Sequence, residues 1–196
     1  MKQSKIKIAI TGGIGSGMST VAKIISQSGY PVFSCDEIAR NIFEEEFVVK
    51  QLSENFPSCV INGIPDRKKI ADIVFSDREK LKILENITHP AIMQILDNKM
   101  QSVQERLVFA EVPLLFEGGY QNKFDKVIVV LRDLKKRIKA TCERDGETFE
   151  KVERRINNQF NYENKVIFEH TVIYNDADLQ TLRRKVKCVL NEFENL

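Results

Sequence analysis

The apolar positions of this chain follow two rhythms. Short runs rich in β-branched and aromatic residues, at 5–10, 30–34, 107–112, 126–131 and 171–174, read as five strands. Between them the spacing widens to three and four, first over residues 19–27, where Val21, Ile24 and Ile25 share one helical face. Strand and helix alternate, which predicts an α/β fold with a parallel sheet covered by helices.

Two stretches depart from the alternation. Residues 44–104 are rich in Glu, Lys, Leu and Ile at helical intervals, with turn signals at Asn62-Gly63 and Pro65-Asp66. That length exceeds a single crossover and predicts a helical insertion overhanging the sheet. Residues 135–168 are strongly charged and helical in pattern, broken at Asp145-Gly146, and read as a mobile lid over the strand ends. Residues 1–43, 105–134 and 169–196 are left as the core.

Composition narrows the possibilities. A chain of 196 residues with 42% hydrophobic and 30% charged residues fits one soluble domain with an appendage. Thirty Lys and Arg against 28 Asp and Glu leave a net charge of +2, so any anion site must be local. The basic residues near Lys135 and Arg183 alternate with acids and lack interleaved aromatics, which argues against nucleic acid as a partner. Cys35, Cys59, Cys142 and Cys188 lie far apart, and His89 and His170 are the only histidines; a zinc site is not expected, and the thiols read as buried in a reducing cytoplasm. The first ten residues run into glycines rather than a long apolar segment, and no later apolar run approaches the roughly 20 residues of a bilayer span. Neither a signal peptide nor a membrane span is expected.

The chemistry concentrates in one loop. Gly12-Gly13-Ile14-Gly15-Ser16-Gly17-Met18-Ser19-Thr20 fits the phosphate-loop pattern of glycine, four residues, glycine, lysine, Ser or Thr at every position except the lysine, where Met18 stands. Glycines let the backbone bend until successive N–H groups face phosphate oxygens, the following helix adds its positive end, and Ser19 offers a hydroxyl to magnesium. A plain strand-to-helix turn would not need four glycines in six positions. Asp36 lies just past the second strand, where it could act as a base or cap a helix over 37–43. Glu111 closes an apolar strand beside the loop, suited to a magnesium site or to capping the turn before Pro113.

The chain resembles the dephospho-coenzyme A kinase family over nearly its whole length. The resemblance rests on Ile10-Thr11-Gly12-Gly13-Ile14-Gly15-Ser16-Gly17, Cys35-Asp36 within 33–40, Thr88-His89-Pro90, Pro113-Leu114-Leu115-Phe116-Glu117, Arg144-Asp145, Arg155-Ile156 with Gln159, Lys165, and Val172-Ile173-Tyr174-Asn175. It implies a P-loop three-layer fold with a five-stranded parallel sheet, an insertion that binds the acceptor, and a helical lid. It also implies transfer of the ATP γ-phosphoryl group to the 3′-hydroxyl of dephospho-coenzyme A, with Mg2+, in a monomer or weak homo-oligomer. By the same resemblance Asp36 is the catalytic base, Arg40 and His89 serve the acceptor, Arg144 closes over the triphosphate with help from Arg137, Arg154 or Arg155, and Asn175 reads the adenine. His89 is expected at the start of a long helix. A nucleoside or nucleotide monophosphate kinase, or a non-catalytic nucleotide or coenzyme A binder, would share the loop.

Met18 is the departure that matters most, beside Ser34, Glu169-His170 and Ala177 where the family tends to Asp, Ala-Asp and Gly. Methionine has neither charge nor donor, and losing a charge-assisted contact costs about 1.5–3 kcal/mol. The loop should form while turnover falls. With nothing replacing the charge, Met18→Lys should raise the kinase rate roughly a hundredfold. Equal rates for the two chains in a coupled assay would instead identify a compensating cation.

Overall fold

The computed structural model describes residues 4–162, 167 and 169–196; Lys165 lies outside them. In chain order the elements are β1 (Ile6–Thr11), α1 (Met18–Gln27), β2 (Val32–Ser34), α2 (Cys35–Asn41), α3 (Glu46–Asn55), β3 (Val60–Ile61), β4 (Ile64–Pro65), α4 (Arg67–Ser76) and α5 (Arg78–Ser102). They continue with β5 (Leu107–Glu111), β6 (Lys126–Leu131), α6 (Leu134–Asp145), α7 (Phe149–Asn157), β7 (Thr171–Tyr174) and α8 (Leu179–Glu194). The chain divides into Met1–Phe33 with Ser102–Leu196, and Ser34–Gln101.

The first unit carries the five-stranded sheet, in the order β2-β5-β1-β6-β7. β1 runs parallel to β5 with Ile8 opposite Phe109, and parallel to β6 with Ile10 opposite Ile128; β6 pairs in turn with β7. Alternate residues Ile8, Ile10, Phe109, Ile128 and Val130 pack against Val21 and Ile25 of α1 and Val186 and Leu190 of α8. The residues between them, Ala9, Val108, Ala110 and Val129, are buried as well. Burial of both faces is what continuous apolar runs predict for a parallel sheet. The strand order turns back at β1, so the loop leaving its carboxyl end opens at a switch point, where open α/β sheets bind ligands.

The second unit is helical, with a two-stranded antiparallel hairpin formed by β3 and β4. Its core gathers Ile42, Val48, Leu52, Phe56, Ile70, Val74 and Ile87. The dividing lines fall at Ser34 and Gln101, so α2 groups with the insertion rather than with the sheet; Ile42, directly after α2, is already part of the insertion's core. The expected helix start at His89 is corrected: α5 begins at Arg78 and Pro90 sits in its interior. Proline there removes one backbone donor, yet the helix continues through a buried face of Ile87, Ala91, Met93, Leu96 and Met100. Cys35 and Cys59 are buried as expected for small apolar thiols, whereas Cys188 is exposed on α8. Among the described residues no helix is long and apolar enough to cross a membrane.

α6 begins three residues after β6, its first turn capped by the Asp133 carboxylate, which accepts from the Lys136 N–H at 3.1 Å. It ends at Gly146, whose φ of 67° is a left-handed stop that glycine adopts without strain. Ile138 of α6 packs with Val152 and Ile156 of α7, and Ile14 of the glycine loop leans on the same cluster. Beyond Gly146 the two helices are joined by Asp145, whose carboxylate takes bonds from Arg144 at 2.6 Å and from Arg155 of α7 at 2.9 Å. These arginines hold the Asp145 carboxyl down to about 2. Its folded pKa lies below the unfolded value of about 4, so its contribution is full above pH 4 and disappears as the pH falls toward 2. Asp145→Asn should therefore flatten the loss of thermal stability between pH 4 and pH 2, which melting curves of the two chains across that range will check.

Candidate active site

The glycine loop follows directly from β1. Gly17 stands at the head of α1 with φ 92°, and Gly15 has φ 75°, so both occupy backbone space that side chains rarely enter. A Cβ at residue 12 would meet the Val130 carbonyl, one at 13 the Arg137 guanidinium, and one at 17 the Asn175 amide. Each glycine is thus required by a neighbour as well as by the bend. Ser16 N–H closes the loop onto the Gly13 carbonyl at 3.0 Å, while the Ser16 hydroxyl is buried with no hydrogen-bond partner among the described residues. Thr20 at the loop's end donates its N–H to the Gly17 carbonyl at 3.0 Å.

Side chains from distant parts of the chain brace the outside of this loop. The Ile14 peptide is held at both ends: its N–H donates to Gln159 Oε1 at 2.7 Å, and its carbonyl accepts from Arg137 Nε at 2.8 Å. The Gly15 carbonyl faces Arg132 Nη1 at 3.4 Å, and the Ser16 carbonyl accepts from the Asn175 amide at 2.8 Å. Beneath the loop the Tyr162 hydroxyl lies 3.4 Å from Thr11 Oγ1, and burial above all pushes its pKa up to about 12. Beside the loop opens a cavity of about 730 Å³, lined among others by Arg132, Arg137, Gln159, Tyr162, Tyr174 and Asp176. Its size is in the range of small-ligand sites.

The proposed metal residues meet: the Ser19 hydroxyl donates to Glu111 Oε1 at 2.5 Å. Oxygen donors of this kind suit a hard divalent cation such as Mg2+. Met18, the first residue of α1, packs against the apolar cluster of the sheet, α1 and α8. Asn175 Nδ2 donates to the Ser16 carbonyl and so braces the loop; β7 lies beside β6, which carries the segment after β7 to the loop.

Arg144 is placed differently from the expectation. It lies at the far end of α6, clamped to Asp145, and the residue of that helix at the loop is Arg137. Helix geometry explains the exchange. Arg137 and Arg144 are seven residues apart on one face, and α6 rises from the sheet's carboxyl edge, so Arg144 stands about 10 Å further along the axis. Gln159 and Arg132 were missed as loop braces, since a lone glutamine and a strand-end arginine give no periodic signal.

The acceptor-side residues belong to the second unit. Asp36 is in the first turn of α2, two residues past the end of β2. Its alternative role as a helix cap is removed, because the cap is Ser34, whose hydroxyl accepts from the Glu37 N–H. The Asp36 carboxylate is exposed. Arg40 follows four residues later on the same helical face, its carbonyl bonded to Arg67 Nη2 at 2.5 Å. His89 is half-buried within α5.

Comparison with known proteins follows the same lines. The dephospho-CoA kinase family profile matches residues 6–181. A dephospho-CoA kinase from Fusobacterium nucleatum is 35% identical over 182 residues, covering 92% of this chain and 94% of the relative. A crystal structure from Thermus thermophilus superimposes with TM-score 0.81 at 37% identity, covering 97% and 98% of the two chains. A dephospho-CoA kinase from Campylobacter jejuni gives TM-score 0.65 at 28% identity, over 96% and 97%. With a family match across nine-tenths of its length and the glycine loop of a kinase at the sheet's switch point, the chain belongs to the dephospho-CoA kinase family.

Proposed function

We propose that this protein transfers the γ-phosphoryl group of ATP to the 3′-hydroxyl of the ribose in dephospho-coenzyme A, the last step of coenzyme A synthesis. The observation that carries the reading is the braced glycine cradle at the switch point of a family member's sheet. The residues fit a triphosphate with magnesium: a loop whose glycines let it sit tightly against its braces, a buried Ser16 hydroxyl with no partner among the described residues, and an oxygen pair at Ser19 and Glu111. Magnesium, when bound, neutralises charge on the β- and γ-phosphate oxygens.

The chain's own groups do the rest. The amides of residues 12–20, with Gly12, Gly13, Gly15, Ser16 and Gly17 shaping the loop and Thr20 continuing the helix, orient the phosphates for in-line transfer. Ser19 and Glu111 hold the metal. Asp36 accepts the proton of the attacking 3′-hydroxyl, for which an exposed carboxylate at a strand end is suited. Arg40 and His89 bind the acceptor, and Arg144 adds positive charge from the lid. In this reading 1–43, 105–134 and 169–196 form the nucleotide-binding core, 44–104 the acceptor domain and 135–168 the lid of a cytoplasmic enzyme acting as a monomer or weak homo-oligomer.

A coupled assay with ATP, magnesium and dephospho-coenzyme A, run beside a panel of nucleosides and nucleotides, tests the substrate. Turnover confined to dephospho-coenzyme A supports the reading; preference for a nucleoside or nucleotide overturns it. Asp36→Asn should lower kcat about 100- to 10,000-fold while the KM for ATP changes little, as expected for a general base. A large rise in that KM with kcat intact would remove Asp36 from the proton-accepting role.

A further inference from the structure

Ile14 sits between two glycines, so the backbone on either side of it has little stiffness of its own. Three attachments lead from it to α6 and α7. Its side chain leans on Ile138, Val152 and Ile156, its carbonyl accepts from Arg137 Nε at 2.8 Å, and its N–H donates to Gln159 Oε1 at 2.7 Å. The neighbouring glycines press on the same seam, since a Cβ at 13 would meet the Arg137 guanidinium and one at 15 the Arg137 carbonyl and the Thr141 hydroxyl. Gln159 closes a circuit. It lies two residues past the end of α7, and its own N–H is held by the Ile156 carbonyl at 3.1 Å. Ile156 belongs to the cluster that takes the Ile14 side chain, so a shift of α7 reaches Ile14 both through apolar contact and through the Gln159 amide.

We propose that Gln159 is a positioning residue of the phosphoryl-transfer site: through the Ile14 N–H it makes the shape of the cradle depend on the docking of α6 and α7. The proposal rests on the reading of the loop as an ATP cradle. The Ile14 N–H shares a planar trans peptide with the Gly13 carbonyl, and the two point in opposite directions. With Gln159 holding the N–H outward, the Gly13 carbonyl is turned inward, where it accepts from the Ser16 N–H and closes the loop. Arg137 fixes the next peptide plane in the same way, through the Ile14 carbonyl. Two consecutive planes are thus set from the helical pair. Without the Gln159 acceptor the first plane turns freely about its glycine, the Ser16 closure slackens, and the amides that follow lose the alignment that in-line transfer requires.

Hydrogen exchange of the Ile14 amide followed by NMR, calorimetric titration with MgATP and with dephospho-coenzyme A, and melting temperatures without ligand test it on the native chain, Gln159→Leu and Gln159→Glu. Gln159→Leu should speed Ile14 exchange and weaken MgATP binding, each roughly tenfold, while dephospho-coenzyme A affinity and melting temperature stay near native. Gln159→Glu, which keeps an oxygen acceptor, should keep the exchange slow. In the native chain MgATP should slow exchange at Ile14 roughly tenfold while Ile70 of the second unit keeps its rate, because coupling between ligand and brace is reciprocal. The proposal is overturned if Gln159→Leu binds MgATP like the native chain, or if MgATP leaves exchange at Ile14 unchanged in the native chain. It is equally overturned if Gln159→Leu loses affinity for both ligands and melting temperature together, which would make Gln159 a strut. Native MgATP binding with unchanged Ile14 exchange in Gln159→Leu would reject Gln159 and keep the cradle; no MgATP binding by the native chain would reject the cradle itself, and the proposal with it.

Discussion

A loop that offers its N–H groups to an anion cannot spend them on secondary structure, so something else must hold its shape. Here the restraint comes from the outside. The carbonyls of Ile14, Gly15 and Ser16 are each met by a donor from Arg137, Arg132 and Asn175, and the Ile14 N–H is taken by Gln159. These braces come from the end of β6, from α6, from beyond α7 and from beyond β7, so the cradle exists only when the sheet has brought those segments together. Holding the amides in place beforehand spares the ordering cost that a slack loop would incur on binding. The glycines are required for a matching reason, since the braces stand where side chains at 13 and 17 would be.

Much of this architecture was legible in the residues. Strands at 126–131 and 171–174 were read at their full extent because their apolar runs are uninterrupted and bounded by turns. The loop was legible because its glycines have a local cause. What failed was what depends on partners far away in sequence. Pro90 looked like a helix start, yet the buried face of α5 carries the helix through it. Asp36 could have been a cap until Ser34 took the position, a choice made by one or two residues of strand end.

The arginines show the same limit in sharper form. Spacing places Arg137 and Arg144 on one face of a helix, and resemblance favoured the second. Which of them reaches the loop depends on where the helix begins relative to the sheet, and that is fixed by the Asp133 cap and by the packing of Ile138 with α7. A helix-start signal of that kind, read together with the carboxyl edge of β6, would have singled out the first-turn arginine.

The brace on the Ile14 carbonyl comes from outside the loop's own helix. Arg137 belongs to a helical pair that reaches the loop through Ile14 and is joined beyond Gly146 by the Arg144–Asp145–Arg155 cluster. The brace that Arg137 gives the loop therefore depends on that pair being docked, and the bonds of Arg144 and Arg155 to Asp145 tie its two helices together. Binding of a triphosphate and docking of α6 and α7 become linked equilibria: an anion that favours the docked pair is in turn bound more tightly by it.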